Sequence, residues 1–404
     1  MHDVAGADGG ALKGLRVVEV AQVIAGPMAG TLLADLGADV IHVEDPNEGD
    51  PQRTTGIPND DGVYLWWKVS ARNKRSVTID LRKAEGRALA RELIAWADVL
   101  IANLRVGTLE KWGLDWESAH AVNPKLVMLQ ISGFGADTTR RNSPGFGKVG
   151  EAMSGVVNIT GFPETPPVHT GFSHADAVTG LMGAFAIQAA LYRKHNDENF
   201  DGEWIDLALF ETLYRLIEWQ VIMADQTDVP LVRAGNQLPV SPAAVINTYL
   251  TADKQWLTVT SGTPRSVRNV AELLGEPASE YDTVDKQRAN RGHLDELLRK
   301  WVAQHDLDYA LAVMDDVEVV ASKIYSIQDI LSDATYAERE DIITVDDHDL
   351  GPVRMQAVIP KLRKHGGHVW RTGPRLGEDN DLVFSEWLSI DERRISSLRD
   401  KGVV

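Results

Sequence analysis

The sequence predicts an α/β fold with a parallel sheet, joined to a smaller α+β domain. Three observations carry that reading. Over the first 135 residues, short apolar runs of strand length alternate with helix-length amphipathic stretches. Between 243 and 325 the pattern changes to two neighbouring strand-like runs followed by helices. The chain has 404 residues, 44% of them apolar and 25% charged, with 34 Gly and 17 Pro. That is an ordinary globular composition, which excludes a fibrous or wholly disordered chain and leaves length for more than one domain.

Each element has a local reason. Residues 16–20 (RVVEV) form a first strand, and the turn through Ala25 and Gly26 leads to Pro27, a good first helical residue. MAGTLLADL continues as helix, and 40–44 is the second strand. Residues 45–61, rich in Asp, Gly and Pro, are loop; 77–81 is a third strand. Residues 84–96 form an amphipathic helix with Leu89, Leu93 and Ile94 facing inward. Two more short apolar strands, 98–103 and 126–131, complete a set expected to make a parallel sheet covered on both faces. The glycine-rich stretch 145–167 delivers the chain to a long helix at 173–194, and 202–210 is a strand entering a helix that runs to about 224. Prolines 230, 239 and 242 mark 226–242 as a linker. Strands at 244–249 and 256–260, with helices at 266–274 and 293–304, make 243–325 the small domain. A helix at 332–340 and a strand at 351–360 follow. The domains are therefore read as 1–225, a linker 226–242, 243–325, and 326–404 returning to the large domain.

Charge and cysteine content narrow the function. The formal charge is −18, so a nucleic-acid partner is not expected without a local basic patch. No cysteine is present, which removes disulfides, thiolate zinc sites and cysteine nucleophiles. The N-terminus has no apolar core of signal-peptide type, and the apolar stretch 181–191 is too short to span a bilayer, so a cytoplasmic protein with no membrane partner is expected.

Several motifs bear on chemistry. Ala25-Gly26-Pro27 after a strand imitates a dinucleotide-binding turn, but the G-x-G-x-x-G spacing is missing; it is either a plain tight turn or one whose amides meet another anion. The cluster Arg72-Asn73-Lys74-Arg75 precedes a strand and is either solvated charge or a clamp for phosphate or carboxylate. No metal-ligand spacing is present, and Ser154 and Ser261 lack a nucleophile-elbow context. Asp176 is the best carboxylate. Ser173-x-x-Asp176 fits a capping box; alternatively, Asp176 at the head of a helix of small residues, kept ionised by the helix start, is a nucleophile for a carbonyl carbon.

LKGLRVVEVAQVIAGPMAGTLLADLGADVIHVE, YLWWKVSARNKRSVTIDLRKAEGR, WADVLIANLRVGTLEKWGLDW, NPKLVMLQISGFG, GEAMSGVVNITG, GFSHADAVTGLMGAFAIQAALYRK and GEWIDLALFE stand in order along the chain. In sequence and spacing they resemble the family III CoA-transferases, which include formyl-CoA, carnitine-type and dicarboxylate CoA-transferases and the related acyl-CoA racemases. The resemblance weakens beyond residue 240. It implies a Rossmann-like large domain whose parallel sheet is built from both chain ends, and an interlocked homodimer. It implies Asp176 as the residue that attacks the acyl-CoA thioester and then carries CoA as an aspartyl thioester. It implies CoA contacts at Val23, Ile24, Ala25, Ile79, Arg82, Asn103, Leu104 and Lys111, with coenzyme A and acyl-CoA as substrates and no tightly bound cofactor.

Three departures matter. Asp45 and Pro46 stand where many members carry a base after the second strand. The stretch 234–239 has one glycine where members carry four, so oxyanion stabilisation is assigned to Gln22 or neighbouring amides. Gly145-Phe146-Gly147 replaces the G-H-D of racemases, and phenylalanine cannot abstract a proton; His174 or Glu151 would be needed for a racemase. The Gly145–Gly155 pattern resembles members acting on small dicarboxylates (succinate, malate, citramalate, mesaconate), with Arg53, Arg72 and Arg75 as expected holders of a distal carboxylate. Donor and acceptor carboxylates on one molecule would permit intramolecular transfer. A same-fold racemase and a non-enzymatic acyl-CoA-binding protein are the alternatives.

Overall fold

The computed structural model describes residues 10–404. Six strands form one sheet: β1 (Arg16–Val20), β2 (Asp39–Glu44), β3 (Arg75–Thr78), β4 (Val99–Ala102), β5 (Val127–Ser132) and β6 (Glu203–Ala208). Every neighbouring pair is parallel, in the order β3-β2-β1-β4-β5-β6. This is the order of a doubly wound sheet, reversing direction between β1 and β4.

Period-two alternation divides the core. Val18, Ile41, Val77, Leu100 and Met128 point to one face, where they meet Leu89, Leu93 and Ile94 of the helix Ala84–Trp96. Val17, Val40, Val99, Ile101 and Leu129 point to the other, under the helices Ala25–Asp35 and His174–Asn196. These two helices pack closely because small residues line the contact. A Cβ on Gly180 would stand 2.6 Å from Met28 Cβ, and one on Gly183 2.6 Å from Leu129 Cδ2. The stretch expected to be too short for a bilayer belongs to this 23-residue helix, which is long and apolar enough to span by length and composition. One of its faces is packed: Thr179, Gly180, Gly183, Ala184, Ile187 and Ala190 are buried.

The C-terminal end adds no strand to the parallel sheet, contrary to expectation. It contributes an antiparallel hairpin (Ile342–Asp347 with Gly351–Gln356) and helical turns, and its Val383, Phe384, Ile390, Ile395, Leu398 and Val403 complete the first core face. Helix Val284–Val302 begins well before 293, and the stretch 145–167 contains the short helices Gly147–Met153 and Val156–Ile159. Two helices, Ile327–Ser332 and Ala334–Glu338, replace the single one expected at 332–340.

The chain divides into two compact units. One comprises residues up to Val156, His169–Asp225 and Ala337–Val404; the other comprises Val157–Val168 and Gln226–Tyr336. The second has a three-stranded antiparallel sheet, β7 (Val245–Leu250), β8 (Trp256–Ser261) and β9 (Ala321–Lys323), in that order. Its core gathers Tyr249, Leu257, Val259, Val270, Leu294 and Leu298. The segment 234–239 lies in this second unit, with Gly235 at φ 61°.

Phe384 is fully buried against the sheet although it lies outside it. Phe384→Ala is therefore expected to cost about 3–5 kcal/mol, read as a fall in the urea midpoint of the first unit's unfolding.

Candidate active site

In an open parallel sheet the crevice outside the strand ends, where the order reverses, is the natural ligand site. Here the loops leaving β1 and β4 meet across that point. Gln22 N donates to Asn103 Oδ1 at 2.7 Å, and Asn103 Nδ2 donates to Gln22 O at 2.7 Å. Two clefts adjoin this bridge and share Gln22 and Leu104. The smaller, about 230 Å³, lies over the ends of β1, β2 and β3 and is lined by Val20, Glu44, Ile79, Leu81, Arg82 and Trp112 among others. The larger, about 500 Å³, lies over β1, β4 and β5 and includes Val23–Ala25, Arg105, Phe146, Gly147, Lys148 and Asp176.

Asp176 sits in the first turn of the helix His174–Asn196, half-buried at the wall of the larger cleft. The N-cap residue Ser173 makes no side-chain cap bond, so the expected capping box does not form. Among the described residues Asp176 has no ion-pair partner. Burial, followed by the nearby Glu151 carboxylate, pushes its pKa up to about 6, against the weaker pull of Lys148. The carboxyl was expected to stay ionised at the helix start; desolvation raises its pKa but leaves it largely ionised at neutral pH. At pH 7 such a group is about nine-tenths ionised, and it is stripped of much of its water.

The surroundings hold Asp176 in place. Glu151, 1% exposed, receives Lys148 Nζ at 3.0 Å on each oxygen and meets His169 Nδ1 at 2.6 Å. Lys148 Nζ also donates to Thr170 O and Phe172 O, at 3.0 and 3.1 Å. One ion-pair cluster thus fastens the segment that leads into Asp176. A Cβ at Gly147 would lie 2.0 Å from Asp176 Oδ2, so only glycine leaves room for the carboxylate there.

The other expected site residues divide. Val23, Ile24, Ala25, Asn103 and Leu104 line the larger cleft, Ile79 and Arg82 line the smaller, and exposed Gln22 stands at the junction. Asn103 bonds the Gln22 backbone with both ends of its amide, so it holds the loop at the cleft wall. Arg82 is 62% exposed and paired with Asp80 and Asp45, so the acidic residue after β2 orients this base. Lys111 is exposed on the helix Thr108–Trp112 and lines neither cleft.

Arg53, Arg72 and Arg75 are corrected. Arg72 makes a bidentate pair with Asp35 (3.0 and 2.5 Å) and donates to Gln356 O. Arg53 grips Glu44 at 2.6 and 2.7 Å, donates to Pro374 O and lies 4.0 Å over the Trp67 ring. Arg75 stands between the Trp370 and Trp387 rings, 3.7 Å from Asp379. Sequence shows their charge but not their burial, and buried guanidiniums must be paired from within. Arg105, Thr108 and Lys148 line the cleft without having been singled out; the Lys148-x-x-Glu151 spacing was a local signal for Lys148, and Arg105 and Thr108 had none. The acidic and histidine group Asp347–His348–Asp349 already holds Lys68, 3.0 and 2.7 Å from the two aspartates.

Residues 12–380 match the model of CoA-transferase family III. The chain is 38% identical to a succinyl-CoA–D-citramalate CoA-transferase of Chloroflexus aurantiacus, covering 97% of this chain and 98% of that protein. It is 34% identical to the beta subunit of a succinyl-CoA–L-malate CoA-transferase from the same organism, over 97% and 98% of the two chains. The crystal structure of a CAIB/BAIF family protein from Brucella suis superposes with a TM-score of 0.81 at 32% identity, over 94% of this chain and 99% of that one. A non-enzymatic acyl-CoA-binding role is set aside by these likenesses. With its doubly wound sheet and a carboxylate at the switch point, the chain belongs to CoA-transferase family III and is an enzyme of the CoA-transferase class.

Proposed function

We propose that this enzyme moves CoA from the thioester of one small dicarboxylic acid to the carboxylate of another, with Asp176 as the covalent carrier. The observation that carries this reading is a desolvated, unpaired carboxylate in a 500 Å³ cleft at the sheet's switch point. The relatives named for succinyl-CoA with citramalate or malate support the substrate class. Arg105 supplies positive charge on the cleft wall for a distal carboxylate.

In the proposed course an Asp176 oxygen attacks the donor thioester carbonyl. The C–S bond breaks, CoA leaves as thiolate, and an aspartyl–acyl anhydride remains. The thiolate attacks the aspartyl carbonyl, expelling the donor acid as carboxylate and leaving aspartyl-CoA. The acceptor carboxylate then attacks this thioester and releases the thiolate. The thiolate takes the acceptor's acyl carbon from the second anhydride, which restores Asp176. Every step passes acyl groups between activated forms, so water must be excluded. Uncapped amides at the head of the helix Ala25–Asp35, with Gln22 alongside, are the proposed hosts for the oxyanions.

CoA is a substrate in this scheme, lying along both clefts with its nucleotide end over β2 and β3, where Ile79 and Arg82 stand. A racemase would need a base where Phe146 lines the cleft, and phenylalanine carries no titratable group. A homodimer, interlocked as the family resemblance implies, is proposed to cover Leu181, Phe185 and Tyr192, which are 56, 70 and 74% exposed along one side of their helix. A cytoplasmic location suits a soluble acyl-CoA pool.

Succinyl-CoA mixed with malate, citramalate or mesaconate should yield the new thioester by mass spectrometry; turnover of a dicarboxyl-CoA without acceptor identifies intramolecular transfer. Hydroxylamine should trap an adduct at Asp176, and Asp176→Asn should lose adduct and turnover, on the order of 10³-fold or more. An adduct that persists in the Asn variant sinks the carrier assignment.

kcat/KM should rise with pH up to about 6 and then level off, as Asp176 ionises. Folding stability runs the opposite way. A carboxyl whose folded pKa lies above its unfolded 3.8 contributes fully below that pH and loses its contribution as pH rises through about 6. Asp176→Asn should therefore melt above wild type at pH 7–8 and converge with it near pH 4.

Gly147→Ala should displace the carboxylate and lower kcat by about tenfold or more while changing KM little. Steady-state kinetics on the folded variant checks this.

A further inference from the structure

Val23 lines the cleft with its backbone at φ 64°, a left-handed conformation that a β-branched residue rarely adopts. Something must hold it there. Its amide donates to both oxygens of Asp50, at 3.0 and 3.1 Å. Asp50, 2% exposed, meets His42 Nε2 at 3.1 Å; His42 Nδ1 meets Glu19 Oε2 at 2.8 Å; and both Glu19 oxygens receive Lys74 Nζ, at 3.0 and 2.9 Å. Lys74 closes the ring by donating to Pro27 O at 2.6 Å, in the first turn of the helix that Val23 leads into.

This ring follows from the fold. The parallel register of β1 and β2 places Glu19 beside His42, on the face that carries Val40. The helix Ala25–Asp35 crosses directly above, where a Cβ at Gly30 would fall 1.6 Å from Glu19 Oε1. Glu44, paired with Arg53, fixes Asp50 from the other side by accepting its backbone amide at 2.9 Å. Four charge-bearing side chains are buried under one turn of backbone, and none of them lines the cleft. Such groups are costly to bury unless they are fully partnered, and removing one leaves the next without its partner.

We propose that Asp50 is a positioning residue for the transfer reaction: at the end of the buried Lys74–Glu19–His42–Asp50 ring, it holds the Gln22–Ile24 turn and the uncapped amides that follow it in the conformation that lines the Asp176 cleft. The proposal rests on the transferase reading. Asp50 acts through the Val23 amide and touches no reacting atom.

The test uses the full-length protein. Asp50→Ala is expected to lower kcat about 30-fold or more with the KM for acyl-CoA within about threefold, since the turn shapes the reacting end rather than the nucleotide end. Asp50→Asn keeps one acceptor oxygen for the Val23 amide and should recover part of that loss. Hydrogen–deuterium exchange without substrate should show raised uptake confined to a peptide spanning 21–30 in the Ala variant, and less in the Asn variant. If Asp50→Ala does not fold, Asp50→Asn and His42→Gln carry the same measurements. Folded variants that keep kcat within about threefold of an active wild type overturn the proposal. So does uptake that is unchanged at 21–30 or raised evenly across the chain. A wild type that moves no CoA with any acid overturns the transferase reading instead, and the exchange pattern is read independently of it.

Discussion

A carboxylate that is to carry an acyl group must satisfy two demands that pull against each other. It must lose water, or the intermediates hydrolyse, and it must not be neutralised by a neighbour, or it ceases to attack. Asp176, the carrier we propose, meets both by geometry. Its cleft wall removes water, while the closest cation, Lys148, is already spent on Glu151. Glu151 acts on Asp176 more strongly than Lys148 does, and together with burial it raises the proton affinity of Asp176. The gap left by the absent side chain at 147 lets the carboxylate stand where it does.

The framework was legible wherever periodicity carried it. β1 and the helix Ala84–Trp96 end where the apolar pattern ends, because a strand or helix buried on one face has no freedom in its register. The place of Asp176 at the head of its helix was legible too, since a lone acid opening a run of small residues is an unusual pattern. Burial of charge was not. Arg53, Arg72 and Arg75 look in sequence like a cation cluster awaiting an anion. Their anions are Glu44, Asp35 and Asp379, the last about 300 residues away and invisible to any local window. Asp50 was hidden for a related reason: it lies in a loop rich in Asp, Gly and Pro, where one more acid carries no information. The left-handed backbone at Val23 was hidden because it leaves no signal in the residue's identity.

The parallel sheet imposes a division of labour. Its covered faces are largely apolar, and along one strip Glu19, His42 and Glu44 bring charge beneath the switch point. Burial and carboxylate neighbours move the His42 pKa to about 9, the Asp50 and Glu19 hydrogen bonds outweighing desolvation, so the strip is a set of paired charges at neutral pH. Apolar packing gives the sheet its cohesion. The polar strip gives one turn of backbone a single conformation, which packing alone would not specify.

The ties between the two ends of the chain carry a consequence for biosynthesis. Arg53, Arg72 and Arg75 receive partners from Pro374, Gln356 and Asp379, and the sheet's first face is completed by residues 383–403. On the ribosome the amino-terminal strands emerge hundreds of residues before these groups exist. The intervening unit has a core of its own, made without the residues that complete the earlier one. Nascent chains stalled short of the last turns would therefore expose an unfinished sheet in which Arg75 lacks Asp379 and Arg53 and Arg72 lack their carbonyl acceptors, a state that chaperones are suited to hold.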